Sequence, residues 1–231
     1  MTTISKTMRK DLVGLLRELI LSGEYVPGQR IREEEIVGKY GVSRTPVREA
    51  IVSLEQYGLV EIRPHRGVFV ASFSSEEIIE ILRIEGVMEG LAASLAAQNL
   101  SEEEIEKTEA SIEKTERKLA KRFNPEDFYR YDQQFHHWLV HASSSQVLER
   151  ILEKQLAQIY LCRYYTIVAP ERFPHSIREH AEIFKYLKKR NPEQAEQAAR
   201  SHLESVIEDF KKMGQLKDNS SVAQPIIVSG K

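Results

Sequence analysis

From Lys6 to Leu21 the apolar residues Leu12, Leu15, Leu16, Leu19 and Ile20 recur at helical spacing, which predicts an opening amphipathic helix. Ser22-Gly23 and Pro27-Gly28 end it and turn the chain. A second short helix is expected over Glu33–Tyr40, stopped by Gly41. A third starts at Ser43, whose hydroxyl suits an N-cap, and runs through Val47, Ala50, Ile51 and Leu54 to Gly58. There the period changes. Leu59, Val60 and Ile62 read as one strand and Val68, Phe69 and Val70 as another, joined by a turn at Pro64-His65-Arg66-Gly67. Three helices followed by a hairpin is the layout of a winged helix-turn-helix, expected over residues 1–73.

Beyond Ser72 the strand pattern stops, and the fold class is mainly α. Ser74-Ser75-Glu76-Glu77 and Ser101-Glu102-Glu103-Glu104 have the form of capping boxes. Asn124-Pro125 and Asn191-Pro192 each offer an N-cap with proline at the first helical position. Between these signals about six helices are expected, near 75–99, 101–122, 125–143, 146–168, 174–190 and 192–213. They make an all-helical second domain over residues 74–214, with a loose polar tail at 215–231.

Composition narrows the class. The chain has 231 residues, 41% hydrophobic and 29% charged, with no apolar run long enough to span a bilayer. No secretory signal opens it, and Cys162 is the only cysteine, so a disulfide framework is excluded and a cytoplasmic location expected. Net charge is −2 but unevenly spread: 11 Lys and Arg against 9 Asp and Glu in residues 1–73, and 22 against 26 beyond. So small an excess leaves the placement of the charges to carry the case for nucleic-acid binding.

That placement is informative. A recognition helix needs short polar and basic side chains at its N-terminal end and apolar residues behind them. Ser43, Arg44, Thr45 and Arg48 meet the first requirement; Val42, Val47, Ile51 and Leu54 meet the second. Arg44 and Arg48, four apart, share a helix face, and an arginine fork can read guanine O6 and N7. Ser43, Thr45 and the free amides at the helix start suit phosphate oxygens. At the wing tip His65, Arg66 and Gly67 can meet a minor groove or a phosphate.

Residues 19–71 resemble the DNA-binding domain of the GntR family of bacterial regulators, through Pro27-Gly28-Gln29-Arg30-Ile31, Tyr40-Gly41-Val42-Ser43-Arg44-Thr45-Pro46-Val47-Arg48-Glu49-Ala50, Gly58-Leu59-Val60 and Gly67-Val68-Phe69-Val70. The resemblance implies that Arg44, Thr45 and Arg48 contact operator DNA, with His65 and Gly67 at the wing. In the fatty-acid-responsive members a basic residue of the second helix also helps. Here Glu33-Glu34-Glu35 stand there, with Arg32 as the substitute.

In the second domain Phe128, Tyr131, Phe135, Leu139 and Ala142 mark the buried side of the 125–143 helix. Asp132 and His136 flank that side at i, i+4, whereas His137 and His141 point away. His180 sits amid Ile177, Ile183, Phe184 and Leu187, and His202 borders the stripe of Ala195, Ala199, Leu203, Val206 and Phe210. One inward histidine is more often a hydrogen-bonded core residue than a ligand. An Asp-His-His-His set on three facing helices instead suits a divalent first-row metal: zinc, nickel or manganese.

Residues 75–213 are similar to the helical FCD effector domain of the FadR-type branch, on Asp132-x-x-Phe135-His136, Glu179-His180 and His202-Leu203. The resemblance implies Asp132, His136, His180 and His202 as metal ligands, a small organic acid completing the coordination, and Arg163 as a bidentate carboxylate partner. One position departs: where the family has an arginine four residues before Glu89, this chain has Glu85. The expected function is a ligand-responsive homodimeric regulator on a palindromic double-stranded operator, and not an enzyme. Two other readings use the same cluster. One is a metal sensor without organic effector; the other is a metal-dependent hydrolase, which lacks an identifiable general base and leaves the winged helix idle.

Overall fold

The computed structural model describes residues 6–21, 23–121, 124–166 and 172–217. Their contacts divide into two units. Among the described residues, one comprises those up to Ser74 together with Lys154–Leu161; the other comprises Ser75–Glu153 and those from Cys162 on.

In the first unit α1 (Lys6–Leu21), α2 (Glu33–Tyr40) and α3 (Arg44–Gln56) follow the apolar periods. Leu12, Leu16 and Ile20 of α1 are buried against Val47, Ala50, Ile51 and Leu54 of α3. Gly41 closes α2 in the left-handed region, φ 66°, with its N–H donating to Val37 O, a conformation other residues adopt at a cost. Ser43 stands at the N-cap of α3, but its side chain makes no capping bond, contrary to the sequence expectation.

The wing is a three-stranded antiparallel sheet, β1 (Arg30–Ile31), β2 (Val60–Arg63) and β3 (Gly67–Val70), in the order β1-β3-β2. Val60 pairs with Val70 and Arg63 with Gly67; Val60, Val68 and Val70 face the core. The first strand, where Arg30 pairs with Phe69 and Ile31 with Val68, was not expected. Two residues are too few to display an alternation.

The second unit contains α4 (Ser75–Asn99), α5 (Glu102–Lys121), α6 (Pro125–Ala142), α7 (Gln146–Thr166, shared with the first unit), α8 (Arg172–Lys188) and α9 (Pro192–Lys217). Two of the expected caps are seen directly. Ser101 N–H donates to Glu104 Oε2 while Glu104 N–H donates to Ser101 Oγ, and Asn191 Oδ1 accepts from Gln194 N–H. Small residues bring α4 close to α9: a Cβ on Gly86 would lie 3.2 Å from Leu203 Cβ, and one on Gly90 2.9 Å from Arg200 Cγ. Ala92, Ala93, Ala96 and Ala97 are fully buried. This close approach lets α4, α6, α8 and α9 direct polar groups to one point. Helix α9 continues to Lys217, and the rest of the expected tail lies outside the described residues. Among the described residues no helix is long and apolar enough to cross a membrane.

Candidate functional site: a buried histidine cluster and an exposed arginine helix

Helix α6 turns one stripe inward, and its two polar members, Asp132 and His136, are buried with Phe128, Tyr131 and Phe135. His180 of α8 and His202 of α9 are buried beside them. One ligand atom from each of the four lies within 4.8 Å of all the others. His202 Nε2 is 3.3 Å from both His136 Nε2 and His180 Nε2, and Asp132 Oδ1 is 3.7 and 3.8 Å from His136 and His180 Nε2. Metal–nitrogen bonds of about 2.0–2.1 Å place tetrahedral donors about 3.3–3.4 Å apart, so the imidazole spacing fits one shared ion.

The tautomers agree with that fit. His136 Nδ1 lies 2.6 Å from Glu89 Oε2, and His202 Nδ1 lies 2.7 Å from Glu179 Oε2. A carboxylate at Nδ1 holds the proton there and leaves the Nε2 lone pair for the centre, as partners of metal-bound histidines do. Phe135 stacks on the His180 ring, centroids 3.9 Å apart and planes at 10°, which sets its direction; the buried Nδ1 of His180 has no hydrogen-bond partner among the described residues. Three imidazole nitrogens pointed at one another in a dry interior repel unless a cation or proton lies among them.

The ionisation pattern follows the same logic. Burial and Arg163 oppose a charged His136, yet Glu89 and Asp132 prevail and lift its pKa to about 9. Burial, then His202 and His136, push His180 well below the ordinary imidazole range. Burial also lowers His202, with Glu179 opposing. Burial works against the Asp132 carboxylate, but Arg163 and His136 hold it well below its usual value. Asp132 is therefore anionic and His180 neutral, the forms in which each donates to a metal, whereas His136 carries a second proton at neutral pH that an ion would have to displace from Nε2.

Arg163 of α7 borders this cluster. Its Nε donates to Glu85 Oε1 at 2.9 Å, Nη1 to Asp132 Oδ2 at 2.8 Å and Nη2 to Glu89 Oε1 at 3.1 Å. Burial raises the Glu85 pKa to about 7, with Arg163 opposing and Glu89 adding. Glu85, marked in the sequence as standing where an arginine was expected, thus faces an arginine on another helix. Arg172 of α8, not singled out by the sequence, supports Glu179 and also reaches Ser205 Oγ at 2.9 Å and Asp209 Oδ2 at 3.2 Å. The cavity lined by Asp132, Arg163, Arg172, Ser176 and His202 measures about 10 Å³ to water centres, room for about one water. His137 and His141 are exposed, and His141 pairs with Glu149.

Glu89 and Glu179 carried a signal that could have been read. Glu85 and Glu89 share a face of α4 with Leu82, Ala92 and Ala93, and Glu179 adjoins His180. Acids on an otherwise apolar stripe need buried partners.

In the first unit Ser43, Arg44, Thr45 and Arg48 are exposed at the start of α3, while Pro46 and Val47 beneath them are buried. At the wing His65 and Arg66 are exposed. His65 adopts φ 59° and Gly67 φ 107°. A Cβ on Gly67 would meet Arg30 Nε at 3.0 Å, which places Arg30, absent from the sequence-based set, against the wing. The acidic run of α2 faces the arginines: Arg48 Nε donates to Glu33 Oε2 at 2.9 Å, Arg44 lies 3.9 Å from Glu34, and Arg32 lies 3.6 Å from Glu35.

Comparison with known proteins adds an independent line. Residues 8–70 match the family described as bacterial regulatory proteins, gntR family, and residues 80–205 match the FCD domain. The HTH-type transcriptional regulator YdhC of Bacillus subtilis is 33% identical over 85% of this chain and 88% of its own length. The HTH-type transcriptional repressor RspR of Escherichia coli is 28% identical over 91% and 92%. Among solved structures, McbR/YncC of E. coli superposes with a TM-score of 0.77 at 20% identity, covering 92% of this chain and 100% of that one. A GntR regulator from Rhodococcus gives 0.76 at 23%, covering 90% and 99%. These structural likenesses concern the fold.

Proposed function

The chain belongs to the GntR family of bacterial regulators, in the FadR-type branch with a C-terminal FCD domain, and is a DNA-binding transcription regulator; we propose that a divalent metal in its helical domain is part of the signal it reads. The relatives are regulators and not enzymes, so the hydrolase reading is set aside. The observation that carries the proposal is the convergence of three imidazole Nε2 atoms and one carboxylate, with two Nδ1 atoms held by Glu89 and Glu179. Asp132, His136, His180 and His202 would hold the ion, for which zinc, nickel and manganese all suit the donors. When bound, the ion supplies a Lewis-acidic centre that can take a carboxylate oxygen.

The proposed division of labour is DNA binding by residues 1–73 and effector binding and dimerisation by 74–214. DNA contacts are assigned to Arg32, Ser43, Arg44, Thr45, Arg48, His65, Arg66 and Gly67. The operator is double-stranded and palindromic, because two copies related by a two-fold axis present two recognition helices. Ile84, Val87 and Leu91, exposed at i, i+3, i+7 on α4, give the second copy an apolar face to cover. The organic effector is a small carboxylate bound at the metal, with Arg163 beside it. Arg163 already meets three acids, so that carboxylate would exchange with one of them. A cytoplasmic location follows from action on the bacterial chromosome.

Elemental analysis of wild type, His136→Ala and His180→Ala is the test of the metal. Equal metal in all three would sink the site. Titrating a selected operator duplex with metal alone, and then with metal plus small carboxylates, separates the two regulator readings. A response to metal alone favours the sensor, and a requirement for the carboxylate favours the ligand-responsive regulator.

A further inference from the structure

Three consecutive glutamates open α2 on the face of the molecule assigned to DNA, where each carboxylate repels phosphate. Two of them make loose, exposed pairs: Glu34 at 3.9 Å from Arg44 and Glu35 at 3.6 Å from Arg32, with 71% and 56% of their side chains exposed. Glu33 is different. Only 25% exposed, it accepts a hydrogen bond from Arg48 Nε at 2.9 Å, while Arg48 itself is 65% exposed.

We propose that Glu33 is a positioning residue for base reading, acting through Arg48. This rests on α3 being the recognition helix. A guanidinium is a rigid planar fork with two usable edges. Glu33 takes Nε–H on one of them. The Nη1–Nη2 edge remains for a bidentate contact, and its direction is set by an acceptor seated on a different helix. That edge matches guanine O6 and N7. A free arginine on an exposed helix samples many rotamers and meets phosphates as readily as bases, so it adds affinity without discrimination. An anchored one gives up some attraction to any DNA and gains selectivity for one base. The acidic run and the reading arginine are then one device: Glu33 lowers affinity for DNA at large and sharpens it at one base pair.

The experiment is selection of duplexes from a random-sequence pool by the full-length protein, comparing base preference position by position. Arg48→Ala identifies the position that Arg48 reads. Glu33→Ala should lose about tenfold or more of the discrimination there and nowhere else, while binding scrambled duplex more tightly than wild type. Glu33→Gln retains a neutral acceptor and should recover most of the preference. In the Arg48→Ala background Glu33→Ala should lose nothing further at that position. Equal behaviour of the Ala and Gln variants, with tighter binding to every duplex and unchanged preference, would mean simple charge repulsion and overturn the proposal. Loss of preference at all positions alike, with a lowered melting temperature, would mean a structural role and overturn it too. So would an Arg48→Ala profile identical to wild type. If wild type enriches no sequence at all, the recognition-helix assignment fails together with this inference.

Discussion

Arg163 and Arg48 are the same side chain held by the same kind of partner in opposite surroundings. Arg163 is 4% exposed and engages Glu85, Glu89 and Asp132, themselves buried. Arg48 is 65% exposed and, among the described residues, pairs with Glu33. Out of water, a charge must be matched on nearly every side, because each unmatched group keeps its desolvation cost. At the surface water does most of that matching, and a carboxylate mainly selects a direction. The helical domain therefore spends its charges on closing a polar centre, and the winged helix leaves its charges available to another molecule.

The sharpest test of this contrast is one substitution at both sites. Arg163→Met strands three buried acids and should destabilise the fold by about 3–5 kcal/mol in denaturant unfolding. Arg48→Met should change it by less than about 1 kcal/mol. Similar values at the two sites would break the comparison. Next in size, Arg44→Ala or Arg48→Ala should weaken operator binding by about 1–3 kcal/mol with the melting temperature kept, as gel-shift and thermal unfolding would record. Glu179→Gln should lower metal affinity about 10- to 100-fold, measured by competition with a chromophoric chelator, because His202 loses the partner that holds its tautomer. Unchanged affinity would reduce Glu179 to a mere neighbour of the cluster. The smallest effect belongs to His137→Ala and His141→Ala. Both residues are exposed, and metal content should be that of wild type.

Much of the fold was legible because its signals are local. Helical period, the capping box at Ser101, the N-cap at Asn191, and the change of period after Gly58 each lie within one turn or one hairpin. The four cluster residues were legible for a related reason. A polar residue inside an apolar stripe must face the core, so the stripes of α6, α8 and α9 already separate His136 from His137. Strand β1 was not legible, since its pairing with β3 joins residues far apart and its length hides any alternation.

Periodicity along one helix therefore determined which faces are buried and which imidazoles turn inward. It carries no information about which face of another helix meets them. Glu89 and His136 are 47 positions apart, Arg163 and Glu89 are 74 apart, and Glu179 and His202 are 23 apart. Even Glu33 and Arg48, 15 apart on neighbouring helices, become partners only through the angle at which α2 crosses α3. Only packing decided these pairings. In a dense interior the small residues of α4 set how closely helices approach, and that distance determines which acid each base can reach.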